Sequence, residues 1–476
     1  IRKRRGRLAF MAKQNNSYDS DKALNANLEQ ILDLFQVNGV ERIFFKELAP
    51  NDNSKNQIYL GGHLNEINWL PKGNLVATTS NSKKTGRVEI KYTNNLDFTW
   101  IDAEGAAFTA PRTKLIYYPQ YPEVRLSGFL QGCDVGMEGW MDPYKRGRSL
   151  HRFLIIGVNR IGRAFGYLAI PGSRISAEII SYPQQEASGT VSQLLHHFNI
   201  GGITAPTLQS KSILLAELKR IHLMGFIRGK KLQSDLTSKP YSAANGGGFT
   251  LEAELGIVPN GSAKPDYLGW EIKQFGVPKW RNTYSKAITL LTPEPNLGEY
   301  KDHSLEWFLR KYGYSSTTKP DRWDFNGTHR FQTKHSKTNL TLDIDGFDLT
   351  TRKITKADGK LSFIAPNGAE AATWSFPKLM EHWTTKHSKA VYIPSIKQRQ
   401  VQGDLSYHYG NQIRICEGTS FELFLSAFAD NLLYLDPAIK LENMSTTKTP
   451  KKKRNQFRVK WTHLVDLYQN VNDLTI

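Results

Sequence analysis

Residues 265–273 read PDYLGWEIK. Asp266 and Glu271 stand close to Lys273 in a run that otherwise reads as a half-buried strand. In a strand, alternate side chains share a face. Trp270 and Ile272 then point one way, and Glu271, Lys273 and Phe275 the other. Glu271 and Lys273 fall about 7 Å apart along the strand by its rise per residue. Asp266 precedes them across a Tyr-Leu-Gly bend that can fold it back towards Glu271. Two carboxylates and a main-chain carbonyl form a hard oxygen set suited to Mg²⁺. A lysine beside them can polarise an attacking water or offset charge on a phosphorane-like transition state. Glu252, fourteen residues before Asp266 on a helical run, is a candidate for a further metal contact or for orienting the site. The plain alternative is a solvated strand face, because an acid, a short gap and E-x-K are common on their own.

The rest of the chain sets the context. Its 476 residues suggest two or three domains, and 39% hydrophobic residues suffice for real cores. Lys and Arg total 63 against 44 Asp and Glu, a net charge of +19 that favours a polyanion or an anionic membrane. No run of about 18 apolar residues marks a membrane span, and no apolar signal core opens the chain. Cys133 and Cys416 lie far apart, which argues against a disulfide scaffold or a cysteine zinc site and fits a reducing, cytoplasmic setting. Residues 1–10, IRKRRGRLAF, precede Met11 and read as an upstream or expression-derived extension, or as a basic arm on phosphates.

Helical spacing runs from Leu24 to Val37. Short apolar runs with turn signals follow: RIFFKEL, QIYLGG, GNLVATTS, RVEIKYT, KLIYYPQ, EVRLSGFL, RFLIIGV and FGYLAIP. So many short strands predict a β-barrel or pseudobarrel. The pattern fades over 183–207, read as a linker with a short helix near Leu194 and Leu195 and with His196 and His197 as linker residues. Beyond it, KSILLAELKRIHLMGFI (211–227) is helical, Gly246 to Gly248 end a loop, and FTLEAELGI reads as a helix before YLGWEIKQF as a strand. Further strands are expected in NLTLDIDGFDL, KAVYIPS and HYGNQIRICEG, with helices at 304–311, 375–383 and 419–431. Mixed helices and strands predict an α/β domain. The divisions are 1–23 (basic, flexible extension), 24–182 (pseudobarrel), 183–207 (linker) and 208–476 (second domain).

Weaker signals stay bland. Asp343, Asp345 and Asp348 lack the glutamate of a calcium loop and read as acids on a strand and turn. Gly246 to Gly248 lack the G-K-[ST] of a phosphate loop, so no nucleotide dependence is expected.

GGGFTLEAELGI followed by KPDYLGWEIKQF resembles the catalytic segment of the MvaI/BcnI restriction endonucleases, relatives of the nicking enzyme MutH within the PD-(D/E)XK fold. TLLTPEPN, FLRKYGY, LTLDIDGFD, TWSFPKLMEHWTTKHSKAVYIPS and FRVKWTHLVDLY continue the likeness over about 211–476. The resemblance implies catalytic acids at Asp266 and Glu271, the lysine at Lys273 and the helix glutamate at Glu252. It implies Mg²⁺ held by Asp266, Glu271 and the carbonyl of Ile272. One departure stands out. The family's His-x-His-Gly run before the final F-R is replaced by Lys451, Lys452, Lys453 and Arg454. Lys451, Lys453 and Arg454 are expected on phosphates, and Arg458 aligns with the family's arginine, whose fork suits guanine.

IFFKELAPNDNSKNQIYLGG and YYPQYPEVRLSGF resemble the effector-binding domain of EcoRII, a DNA-binding pseudobarrel, over about 25–180. The resemblance implies one arm near Lys46, Asn51, Asn53, Lys55 and Gln57, and a second near Tyr121, Glu123 and Arg125. The plain alternative for Glu123 and Arg125 is an ion pair on a barrel. Together the two likenesses imply a type IIE restriction endonuclease. It would be a prokaryotic monomer binding double-stranded DNA at two 5′-CCWGG-3′ sites, beside a companion methyltransferase. A MutH-like nickase and a DNA-binding regulator with an inactive nuclease half are the alternatives.

Overall fold

The computed structural model describes residues 16–17, 20–49, 57–67, 69–71, 74–81, 86, 88–141, 151–159, 161–181, 196–199, 206–259, 266–400, 403–445 and 451–476. The basic N-terminal residues, Asn51, Asn53, Lys55 and the helix expected at Leu194 lie outside the described residues.

The first part is built from two sheets. The larger runs in the order 196–199, 40–48, 152–159, 164–169, 98–101, 107–109. The smaller, antiparallel throughout, runs 57–61, 123–127, 114–118, 88–95, 76–81. Period-two alternation tells the larger sheet which way to face. Phe44, Leu154, Ile156 and Leu168 point into one core with Ile58, Leu115 and Leu126 of the smaller sheet. Ile43, Phe45, Ile155 and Tyr167 point the other way, under the helices Leu28–Val37 and Arg174–Ser181 through Ile31, Phe35, Ile175 and Ile179.

All eight short runs named from the sequence contain strands. Strands 98–101, 107–109 and 196–199 and the helix Arg174–Ser181 were not anticipated. The helix expected over Leu24–Val37 is broken in two. The Asn27 side chain accepts from the Gln30 amide at 2.7 Å and caps a new helix there, a local bond that competes with continuing the first. The segment read as a linker carries a strand. His196 to Asn199 pair antiparallel with Arg42 to Phe45 on the edge of the larger sheet.

The second part centres on the strand Lys389–Arg399. Glu271–Gly276 runs parallel to it on one edge, in register from Glu271↔Ala390 to Gly276↔Ser395. Gln412–Glu417 pairs antiparallel on the other edge and passes the sheet on to Asn470–Thr475. One face is covered by the helices Pro206–Leu223 and Gly246–Glu254, through Leu214, Leu218 and Leu251 against Trp270, Ile272, Val391 and Ile393. The opposite face carries Phe275, Ala390 and Tyr392 into a core with Trp383, Phe424 and Phe457. An antiparallel sheet (287–291, 455–460, 433–442, 322–326, 314–315) and a three-stranded one (341–345, 360–364, 370–375) complete this part.

The three glycines do not end a loop. They form the first turn of the helix Gly246–Glu254. A Cβ on Gly246 would come within 2.5 Å of the Tyr407 hydroxyl, and one on Gly247 within 2.8 Å of Gln274 Oε1. Gly246 and Gly247 are small where the helix start lies against the central sheet, at the cost of glycine's poor helix propensity, whereas a Cβ on Gly248 would meet open space.

Candidate active site

The bend before the strand Glu271–Gly276 is a two-residue turn. Tyr267 and Trp270 exchange both backbone hydrogen bonds, at 3.0 and 2.8 Å. Leu268 and Gly269 between them have φ of +49° and +85°, as a type I′ turn requires. The turn returns Asp266 to the strand, where its carboxylate accepts from the Ile272 amide at 3.1 Å. The side-chain alternation read from the sequence holds. Trp270 and Ile272 enter the core beneath the helices, and Glu271 points to the other face.

Glu271 is 1% exposed, so it is no solvated strand residue. Lys273 Nζ donates to its Oε1 at 2.6 Å, and Lys386 Nζ stands 3.6 Å from the same oxygen. The other oxygen, Oε2, is buried with no hydrogen-bond partner. Burial pushes the Glu271 carboxyl upward, but the two ammonium groups outweigh it and hold the acid below its usual range. The same contact holds the Lys273 ammonium above its usual value against the effect of burial. Asp266 is pushed up to about 6, by burial and then by the charge of Glu271. Glu252 is pushed up to about 7, by burial and then by the charge of Asp266. Asp266, Glu271, Lys273 and Glu252 therefore share one electrostatic site, with Glu252 supplied by the helix packed beside the strand.

Sequence reasoning missed Lys386. It ends the helix Phe376–Lys386, which opens at Ser375, whose hydroxyl accepts from the Lys378 amide at 3.4 Å. A lysine in a last helical turn is ordinary, and only the pairing of 271–276 with 389–399 carries it to Glu271. His387 follows it, fully buried. Its Nδ1 lies 2.8 Å from the Tyr468 hydroxyl and its Nε2 3.2 Å from the Leu290 carbonyl, and burial pushes its pKa down to about 3. The neutral ring donates from Nε2 and accepts at Nδ1.

No three His, Cys, Asp or Glu side chains form a complete metal cage among the described residues. Two carboxylates and a carbonyl are nevertheless a fitting partial set for Mg²⁺, which keeps waters and takes substrate phosphate oxygens. The unpartnered Glu271 Oε2 and the upward-shifted acids are what a site short of positive charge shows.

Residues 215–468, more than half of the chain, match the model of the MvaI/BcnI restriction endonuclease family. The chain belongs to the MvaI/BcnI restriction endonuclease family. It is thus a restriction-enzyme chain, and the buried acid–lysine cluster lies within the family's span. A solved structure of MvaI with its cognate DNA substrate is 16% identical, with a TM-score of 0.42 over 55% of this chain and 97% of that one. MvaI without DNA is 15% identical, with a TM-score of 0.31 over 56% and 98%. No curated protein sequence matches the chain.

The residues expected on DNA are placed unevenly. Arg458 lies on the strand Asn455–Lys460, ion-paired with Asp436 and donating to the Ala287 carbonyl at 3.3 Å. Lys453 is exposed, 4.0 Å from Glu294, and Arg454 is exposed. Lys451 pairs through its backbone with Leu441. In the first part, Gln57, Glu123 and Arg125 do come together, with the Arg125 guanidinium bonded to both partners and lying 5.0 Å from the Tyr118 ring centroid. Tyr121 is exposed at the adjoining turn. Lys46 is buried in its strand, 6.0 Å from the Tyr59 ring centroid, and burial pushes its pKa down to about 8. Asp345 and Asp348 have structural partners. Asp345 pairs with Lys356 at 2.6 Å, and Asp348 accepts from the Thr350 and Thr351 amides.

Proposed function

We propose that this restriction endonuclease hydrolyses phosphodiesters of double-stranded DNA at 5′-CCWGG-3′ with Mg²⁺, as a monomer, and leaves 5′-phosphate ends. The observation that carries the reading is the buried Glu271, held by two lysines with one oxygen unpartnered, beside Asp266 and Glu252. Asp266, Glu271 and the Ile272 carbonyl would hold the metal, which when bound supplies Lewis-acid polarisation of the phosphate and a lower pKa for water. Lys273 orients and polarises the attacking water. Lys386, close to the same Glu271 oxygen as Lys273, offsets negative charge there. Glu252 would make a further metal contact or orient the site.

The first part would bind a second copy of the site through the Gln57, Glu123, Arg125 and Tyr121 surface, the two-part layout of a type IIE enzyme and one that resembles UbaLAI. Glutamate accepting from cytosine N4 and arginine forking onto guanine suit a GC-containing site. The pseudobarrel description of this part belongs to the same proposal.

The test is a plasmid containing CCWGG sites beside a matched plasmid lacking them, each with Mg²⁺, with any ends mapped. Cutting confined to those sites and abolished by Lys273→Ala would establish the endonuclease and its specificity together. Tight binding of a CCWGG duplex without cutting would instead make the chain a DNA-binding regulator.

A further inference from the structure

Just past the catalytic strand the chain exposes a string of rings. Trp280, in the short helix Trp280–Ser285, meets the His408 ring edge-on at 5.5 Å. His408 stacks on His222 at 5.2 Å and tilts against Phe226 at 5.4 Å. Trp280 is 38% exposed and Phe226 45%. The string is held from below. Gly410 brings its backbone so close that a Cβ there would lie 3.0 Å from both Trp280 and Pro394, and His222 Nδ1 bonds the Tyr409 carbonyl at 2.7 Å.

The rim is cationic. Lys279 and Arg281 flank Trp280 in the sequence, and Lys397 lies beside Ile396, the register partner of His408. All three are exposed, and none has an ion-pair partner among the described residues. Some exposed cations elsewhere, such as Arg352, Lys356 and Arg163, are instead paired with acids. Rings bordered by unpaired cations fit a sugar–phosphate backbone, with phosphate oxygens on the cations and apolar sugar faces on the rings.

The position is continuous with the active site. Lys273 pairs with Tyr392, and His408 pairs with Ile396, four residues further along the same strand. That is about 13 Å at the usual rise, roughly four base-pair steps of B-DNA. We infer that Trp280, Phe226 and His408, with Lys279, Arg281 and Lys397, form a second contact surface of the nuclease part for duplex DNA flanking the cleaved site, independent of sequence. The inference rests on the proposed endonuclease reading. A second copy of this chain is the competing occupant.

The test uses the full chain in the cleavage-deficient Lys273→Ala background. Affinity is measured for a duplex with one CCWGG and about three flanking base pairs, and for one with about twelve. The unaltered surface should favour the longer duplex by about tenfold. Trp280→Ala should remove most of that preference and leave the short duplex unaffected. Lys279→Gln with Arg281→Gln, which spares the ring string, should lower the salt slope of long-duplex binding by about two. Affinities independent of flank length, or flank preference and salt slope unchanged in the variants, overturn the inference and leave the endonuclease reading intact. The same holds if the variants only abolish self-association in sedimentation, which assigns the surface to a second copy. No binding of any duplex by the unaltered chain overturns both.

Discussion

Replacing Glu252 by Gln should stabilise the metal-free protein while abolishing cleavage. Glu252 is half-buried near two further acids, and its carboxyl is raised from 4.5 to about 7 in the fold. Between those values the folded state binds more protons than the unfolded state. Stability therefore falls as pH rises through that window, and the full cost of ionising Glu252 is present above pH 7. The shift corresponds to about 3 kcal/mol, and partial exposure reduces it to about 2 kcal/mol. Glutamine keeps the size and the hydrogen-bonding reach without the charge.

The assay is the urea midpoint of both proteins in chelator at several pH values, with amide exchange over the helix 246–254 as the local readout. The variant should gain about 2 kcal/mol at pH 8 and almost nothing at pH 4.5. Added Mg²⁺ should stabilise the wild type more than the variant. A stability gap that does not change with pH, or a variant less stable at pH 8, would refute the claim that burial and the neighbouring acids raise the Glu252 carboxyl in the fold.

Three other outcomes follow from the geometry. His329 is 1% exposed and neutral, its pKa pushed down to about 3 by burial and then by His335. Its stabilising effect is complete above the unfolded value of 6.5 and fades as pH falls towards 3, so acidifying from pH 7 to 5 should cost about 2 kcal/mol from this ring; His329→Asn should flatten that part of the pH–stability curve. Gly247→Ala drives a methyl to 2.8 Å from the Gln274 amide, which Ser395 anchors at 2.7 Å, so the thermal midpoint should fall by the equivalent of about 1 to 3 kcal/mol. Leu268→Asn places a residue suited to positive φ in the turn before the catalytic strand, where the leucine is half exposed. It should raise stability by up to about 1 kcal/mol with cleavage retained.

Local pattern reached the elements whose cause is local. Alternation in YLGWEIKQF gave the two faces of the strand Glu271–Gly276, and the turn residues gave the ends of the short strands. It failed where the cause is tertiary. Lys386 is 113 positions beyond Lys273 and reaches Glu271 only because the helix that bears it leads into the strand paired with 271–276. Gly246 and Gly247 sit in the first turn of a helix where Tyr407 and Gln274, both distant in sequence, leave no room for a side chain. Lys46, expected on an arm, alternates into a buried position, and the Arg458 fork is engaged by Asp436. His196 to Asn199 gain a strand only by pairing with a sheet laid down 150 residues earlier.

The acid–lysine motif has a bland explanation, a structural ion pair, and the bonding of Glu271 argues against it. A carboxylate buried for stability should have both oxygens satisfied, because an unpaired buried oxygen costs about 1 to 3 kcal/mol. Glu271 has one oxygen held by Lys273 with Lys386 close by, and the other bare. Asp266 and Glu252, kept near it by the turn and the helix, are raised rather than relieved. An ion pair built for stability would not gather three acids around two lysines, since each added acid weakens the fold that holds it. Such an arrangement stores cost at one place, which is the mark of a site whose missing partners arrive from solution. The family match over residues 215–468 includes this cluster, which is why the proposed chemistry is set at the unsatisfied oxygen of Glu271.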